Sequence, residues 1–292
     1  MKPKNIYGWG GFELSSGDIS VGITPSIGGR IMSLLFQGQE LLFVDERHKA
    51  ETFDPNLWND LAIAKKFLGF RVWGGDKTWV APQDSWFLGI PPLDLDAAPY
   101  TLSFQNHEVM MKSPICRETG LQIYRRICIT DNQVVLTEEL YNRTSNPLQK
   151  GLWNVTQVKK PCCFEIPANI GTFRSYHIDD SSLPAFEGDL SPKEGVIRVD
   201  CHGNKLFKIG GMPSLGEVSV RVPSKGKEVI WKKIFNCDLK ASYAHRSIVE
   251  VFNSPQLPYA EIELHTPFRM LEPDECVRLK QTWQISACPS NL

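Results

Sequence analysis

The chain has 292 residues, and because large all-β folds of this size are commonly a single unit, one domain spanning residues 1–292 is expected. With 32 Lys+Arg against 33 Asp+Glu and no basic block, its charge argues against nucleic acid or a membrane surface as the main partner. The N-terminus lacks the apolar core of a signal peptide and no later run is long enough to span a bilayer, so the expectation is a soluble cytoplasmic protein.

Alternation of apolar and polar residues dominates from the start. Ile19 to Ile23 reads as a strand, Thr24 to Gly29 as a turn, Arg30 to Phe36 as a second strand, and Gln37 to Glu40 as the next turn. Asp54 to Phe67 suggests a short helix, with Leu57, Leu61 and Ala64 at helical spacing after a Pro-containing start. Leu121 to Thr130 and Val134 to Asn142 form a hairpin pattern across Asp131-Asn132-Gln133. Gly151 to Lys159 follows as a strand, and the last third adds Ser247 to Phe252, Tyr259 to His265 and Val277 to Ile285. So many strands predict an all-β chain of two large, packed, mainly antiparallel sheets, because sheet faces must be buried against one another.

The stretch from Phe70 to Gln83 sets Gly74, Gly75, Asp76 and Lys77 between Trp73 and Trp79. Glycines let backbone approach a ligand, indoles suit the apolar faces of sugar rings, and an Asp/Lys pair can bond hydroxyls or move protons. The competing reading is a turn with core tryptophans and a solvated charge pair. In Glu261-Ile262-Glu263-Leu264-His265 the strand period of two puts both carboxylates and the imidazole on one face. That face suits acid/base work, since neighbouring carboxylates raise each other's proton affinity, although solvated polar strand faces are commoner. In Gly151 to Lys159, Asn154 and Thr156 share a face with Leu152 and Val158, which suggests polar groups in a partly apolar cavity or else cross-strand hydrogen bonds.

The 8 cysteines show no paired CxxC spacing, so most are expected to be buried thiols and no zinc site is anticipated. Histidines 48, 107, 177, 202 and 245 show no i,i+2 or i,i+4 pairing with one another, which leaves a histidine metal centre without sequence support. Lys208, in Lys205 to Gly211, offers another polar contact.

Four of these pieces occur in an order that resembles the galactose mutarotase-like superfamily, in an aldose 1-epimerase-related branch: Pro25 to Leu34 with Gly38 to Leu42, Trp73 to Trp79, Asn154 to Lys159, and Glu261 to Pro267. The resemblance implies a β-supersandwich with a carbohydrate-binding sheet. It implies that Glu263 is the base acting on an anomeric hydroxyl. The family's His-Gly-Gly reads Trp73-Gly74-Gly75 here, and its Asn-His reads Asn154-Val155, so both usual imidazoles are replaced. His265, Lys77 or Asp76 then stands in as the acid, with Arg71, Trp73, Asp76, Trp79, Asn154, Gln157 and Glu261 holding substrate. The expected function is an epimerase-like enzyme working on a sugar without a cofactor; the alternatives are a sugar-binding protein that has lost its acid, and a lyase in which Arg71 and Lys77 neutralise a sugar carboxylate.

Overall fold

Strands whose alternate residues are apolar need a shared interior, and the chain provides one between two antiparallel sheets, of 12 and 10 strands among the described residues. The computed structural model describes residues 1–176, 190–193, 195–201, 205–224 and 226–289; His177 and His202 lie outside the described residues. The core is built from Val21, Leu34, Val80, Leu152 and Ile262 of the first sheet against Ile123, Leu136, Phe164, Val220, Trp231 and Trp283 of the second. Among the described residues no helix is long and apolar enough to cross a membrane.

The expected hairpin pairs Leu121–Thr130 with Gln133–Asn142. Its turn is the two residues Asp131 and Asn132, both at positive φ, 49° and 59°, the backbone that matches strand twist in tight hairpins. Gln133 is therefore a strand residue paired with Thr130. The expected helix is shorter and later, Leu61–Leu68, because Asp60 caps the amides of Ala62 and Ile63 while Pro55–Leu57 forms a separate 3-10 turn. Gln39–Glu40 is a short strand rather than a turn, and the Glu40 carboxylate accepts hydrogen bonds from the amides of Leu34 and Leu42. All eight cysteines are free; Cys116, Cys162, Cys163 and Cys201 are buried and the rest half-buried.

Five strands of the larger sheet carry the candidate site: in spatial order Asp76–Ala81, Leu148–Lys159, Tyr259–His265, Val249–Asn253 and Phe207–Gly211. The chain enters the first of them through Gly74 and Gly75, at φ 109° and 77°. A Cβ on Gly75 would lie 2.3 Å from the carbonyl oxygen of Ile31, so this entry requires glycine on both conformational and spatial grounds.

The interior side of these strands is not purely apolar. Asp76 pairs with Arg125 of the opposite sheet and accepts from Thr156 Oγ1 (2.6 Å) and Asn154 Nδ2 (3.1 Å). Glu138 accepts from Asn154 Nδ2 (3.1 Å), Gln281 Nε2 (2.7 Å) and the Thr78 hydroxyl. Lys233 donates to Asn154 Oδ1 (3.0 Å) and Thr156 Oγ1 (2.6 Å). Every member is buried, and each charge in this network between the two sheets meets a partner, as a buried charge requires.

Candidate functional site

Register determines which side chains share the other face. The pairings align three rows across the sheet: Trp79, Trp153 and His265; Lys77, Val155, Glu263 and Glu250; Gln157, Glu261, Phe252 and Lys208. Directly paired residues lie on the same side of a sheet, so these rows form one continuous surface. Glu261, Phe252 and Lys208 are half-buried, while Lys77, Val155, Gln157, Glu263 and His265 are buried. The third row is thus the more open one.

Glu263 is the centre of this surface. Its Oε2 accepts from Trp153 Nε1 at 2.7 Å and from Lys208 Nζ at 3.0 Å, and neither bond uses Oε1. Burial pushes its carboxyl up to about 8 against the pull of Lys208, with Glu250 and Glu261 adding to the rise. Lys208 also lies 2.9 Å from Glu250 Oε2. Burial favours its neutral amine, but Glu263 and Glu250 outweigh that effect and keep it protonated, well above the ordinary lysine range. Burial likewise opposes ionisation of Glu250, yet Lys208, His265 and His245 hold its carboxyl well below the usual value.

Lys77 occupies the opposite side of Val155 from Glu263. Its Nζ sits 4.0 Å from the centre of the Trp79 ring and, among the described residues, has no hydrogen-bond partner. Burial lowers its ammonium to about 8, helped by Arg30 and opposed by Glu261, Asp96 and Glu263. Val155 is the one residue between Lys77 and Glu263 in this row, and their strands are two spacings of about 4.8 Å apart. Gln157 donates to Glu261 Oε1 at 2.7 Å, and its own Oε1 is buried without a partner among the described residues.

Aromatic rings wall the first row. Trp153 stacks with Trp86 (5.6 Å between centroids) and with His265 (5.4 Å), and Trp79 meets Trp153, Trp86 and Phe70 edge to face. His245, from the segment before the Val249–Asn253 strand, approaches His265 to 4.8 Å between ring centroids and contacts Glu250 through Nδ1 at 3.2 Å. Burial lowers the basicity of His265, with Glu250 opposing. Its Nε2 lies 3.4 Å from Glu250 Oε2 without hydrogen-bond geometry, and among the described residues its Nδ1 has no partner.

Several residues expected to meet substrate lie elsewhere. Asp76 and Asn154 point between the sheets into the ionic network, because they are one residue out of phase with Lys77 and Val155 on their strands. Trp73 is fully buried in a separate apolar cluster with Trp9, Ile27 and Leu68, and the Arg30 guanidinium covers its ring at 5.2 Å. Arg71 contacts His48 Nδ1 (3.0 Å) and Glu51 (3.2 Å). Lys77, Trp79, Gln157, Glu261, Glu263 and His265 do share one face. Sequence reasoning missed Glu250, His245, Trp86 and Trp153 as site residues. A signal for Glu250 existed, as a lone carboxylate between Val249 and Val251 on a strand, whereas His245 is brought in from a loop by no local pattern.

No protein-family model matches the chain, and no curated protein matches it in sequence. Solved structures do match. The Slr1438 protein of Synechocystis sp. PCC 6803 superposes with a TM-score of 0.64 at 12% identity, over 98% of each chain. A galactose mutarotase-like protein from Clostridium acetobutylicum gives 0.61 at 11% identity, over 99% of this chain and 98% of the other. A galactose mutarotase related enzyme from Lactobacillus acidophilus gives 0.60 at 12% identity, over 96% and 98%. The two antiparallel sheets of this chain are the galactose mutarotase-like fold.

Proposed function

We propose that the face around Glu263 binds a carbohydrate and catalyses exchange of its anomers by acid/base chemistry. The observation that carries this reading is the row Lys77, Val155, Glu263: a carboxyl and an ammonium, both buried, both near pH 8 in their titration, separated by one short side chain. Sugars are the substrate class suggested by the fold's neighbours. The aromatic wall and the unpartnered polar atoms of Lys77 and Gln157 suit a hydroxyl-rich ring.

In the proposed reaction ionised Glu263 takes the proton of the anomeric hydroxyl while the Lys77 ammonium protonates the ring oxygen. The bond between the anomeric carbon and the ring oxygen breaks to give an open-chain aldehyde, which rotates and closes on its other face with both protons returned. His265 is the weaker candidate for the acid, since burial favours its neutral form.

The test is anomer exchange followed by NMR with a panel of aldoses and sugar phosphates, in a buffer that does not itself catalyse mutarotation. Exchange above background supports the proposal. The rate is expected to rise with pH as Glu263 loses its proton through about 8, and to fall above about 8 as Lys77 loses its own, giving a maximum near pH 8. In Lys77→Met the high-pH limb should vanish and the maximal rate should drop by about 10²-fold or more.

Val155 and Trp73, where the resemblance expects imidazoles, favour a second reading, a sugar-binding protein without turnover. Binding signals with no exchange above background would select it. The lyase reading has less support, since Lys77 and Lys208 face Glu250, Glu261 and Glu263 and the cations do not outnumber the carboxylates.

A further inference from the structure

Beside Glu263, and outside the proton transfers proposed above, three potential ligands from two strands and a loop converge. His245, Glu250 and His265 each present one donor atom, and these atoms all lie within 4.8 Å of one another. Glu250 Oε2 is 3.4 Å from His245 Nδ1 and 3.4 Å from His265 Nε2. A tetrahedral site with bonds of about 2.0–2.1 Å places its ligand atoms about 3.3–3.4 Å apart, so both of these edges already have the right length. The widest separation closes to that spacing with a shift of about 1.4 Å shared between two rings.

We infer that His245, Glu250 and His265 form a binding site for a divalent cation of the zinc type. A second observation supports it: His265 is 2% exposed, and among the described residues neither of its ring nitrogens meets a partner with hydrogen-bond geometry, Nε2 lying 3.4 Å from Glu250 Oε2. A buried imidazole normally pairs its polar atoms, and a metal ion uses one of them directly. Two imidazoles and one carboxylate select a borderline-soft cation over magnesium or calcium, which prefer all-oxygen sites. Three protein ligands leave one tetrahedral position for an oxygen, either water or a hydroxyl of a bound molecule. The side chains of His245 and Lys208 are 17% and 18% exposed, which marks the side from which an ion enters.

Lys208 is the competing cation. Its ammonium neutralises Glu250 at 2.9 Å and also contacts Glu263 at 3.0 Å. An ion bound to Glu250 takes over that neutralisation and leaves Lys208 paired with Glu263.

The experiment strips the full-length protein with a chelator and titrates it with Zn2+ by calorimetry, then with Co2+ by visible absorption. One equivalent of zinc per chain is expected, with the cobalt bands of a four-coordinate nitrogen and oxygen site and no thiolate charge-transfer band. His265→Ala and His245→Gln are each expected to weaken zinc binding by at least about 100-fold, while His48→Ala leaves it unchanged. His245→Gln alters a partly exposed side chain, so it reports even if His265→Ala fails to fold, and circular dichroism checks both. Lys208→Met is expected to bind zinc more tightly than the wild type. Absence of zinc binding in the wild type, equal binding in His245→Gln, a thiolate band, or weaker binding in Lys208→Met overturns the inference. These readouts are independent of anomer exchange, so failure of the metal site and failure of the sugar chemistry are told apart.

Discussion

Glu263→Gln is expected to abolish anomer exchange while leaving the folded protein and its sugar binding in place. The amide keeps an oxygen to accept from Trp153 Nε1 and Lys208 Nζ, so the hydrogen bonds that orient the side chain survive. What it loses is a proton acceptor that can ionise. Removal of a positioned general base typically costs about 10²–10⁴-fold in rate, and with Lys77 still present the residual exchange should fall to the lower end of detection. Ligand-observed NMR on the same samples separates the two effects: binding signals retained with exchange lost is the expected pattern, and exchange at the wild-type rate would remove Glu263 from the reaction.

The same variant makes a stability prediction with a defined sign. The folded state raises the Glu263 carboxyl from its ordinary 4.5 to about 8. Its contribution to stability is therefore fully present below pH 4.5 and is lost as pH rises toward 8, because the unfolded chain ionises freely and the folded one resists. Glutamine does not ionise. Denaturation midpoints of wild type and Glu263→Gln should accordingly diverge between pH 4.5 and 8, with the variant gaining on the wild type as pH rises.

Asp76→Ala is expected to give the largest loss of stability, about 3–5 kcal/mol, because it leaves Arg125 and Lys233 short of a buried counter-charge. Arg125 retains Glu138 at 3.5 Å, and Lys233 retains Asn154 and Thr156, which favours the lower part of that range. The check is a denaturant titration in which the midpoint falls while the slope is unchanged. A double change, Asp76→Ala with Lys233→Met, should cost less than the sum of the single changes, since each removes the charge the other was needed to neutralise. A loss under about 1 kcal/mol in Asp76→Ala would mean that the network contributes little to holding the sheets together.

The sequence pattern carries most of the fold and groups part of the candidate site on one face. Alternation alone marks the strands from Ile19 to Phe36, Leu121 to Asn142 and Tyr259 to His265, because a half-buried strand records its two environments in consecutive residues. Alternation also correctly groups Glu261, Glu263 and His265. It equally separates Asp76 from Lys77 and groups Asn154 with Thr156, Leu152 and Val158; placing Asp76 and Asn154 against substrate rests on their residue types and on the resemblance, neither of which tells which face of the sheet meets a ligand. The helix was misplaced because Pro55 and Leu57 suit a helical start, while the effective cap is Asp60. What alternation cannot supply is register. Lys77 faces Glu263 across Val155 only through two inter-strand pairings, and His245 reaches His265 through a loop, so neither relation leaves a local trace.

The phase relation has a further consequence for how this protein can change over time. In Leu152 to Val158, adjacent residues serve opposite purposes: Val155 and Gln157 line the outer face, while Asn154 and Thr156 anchor the ionic network behind it. A substitution alters one face and spares the other. Insertion or deletion of a single residue there would exchange the two sets at once, presenting Asn154 and Thr156 outward and driving Gln157 into the core. Strand lengths in this wall are thus more tightly constrained than strand composition. The connecting segments at 82–100 and 236–248, which supply Trp86 and His245, are free of that parity, so their length can change without rebuilding the sheet.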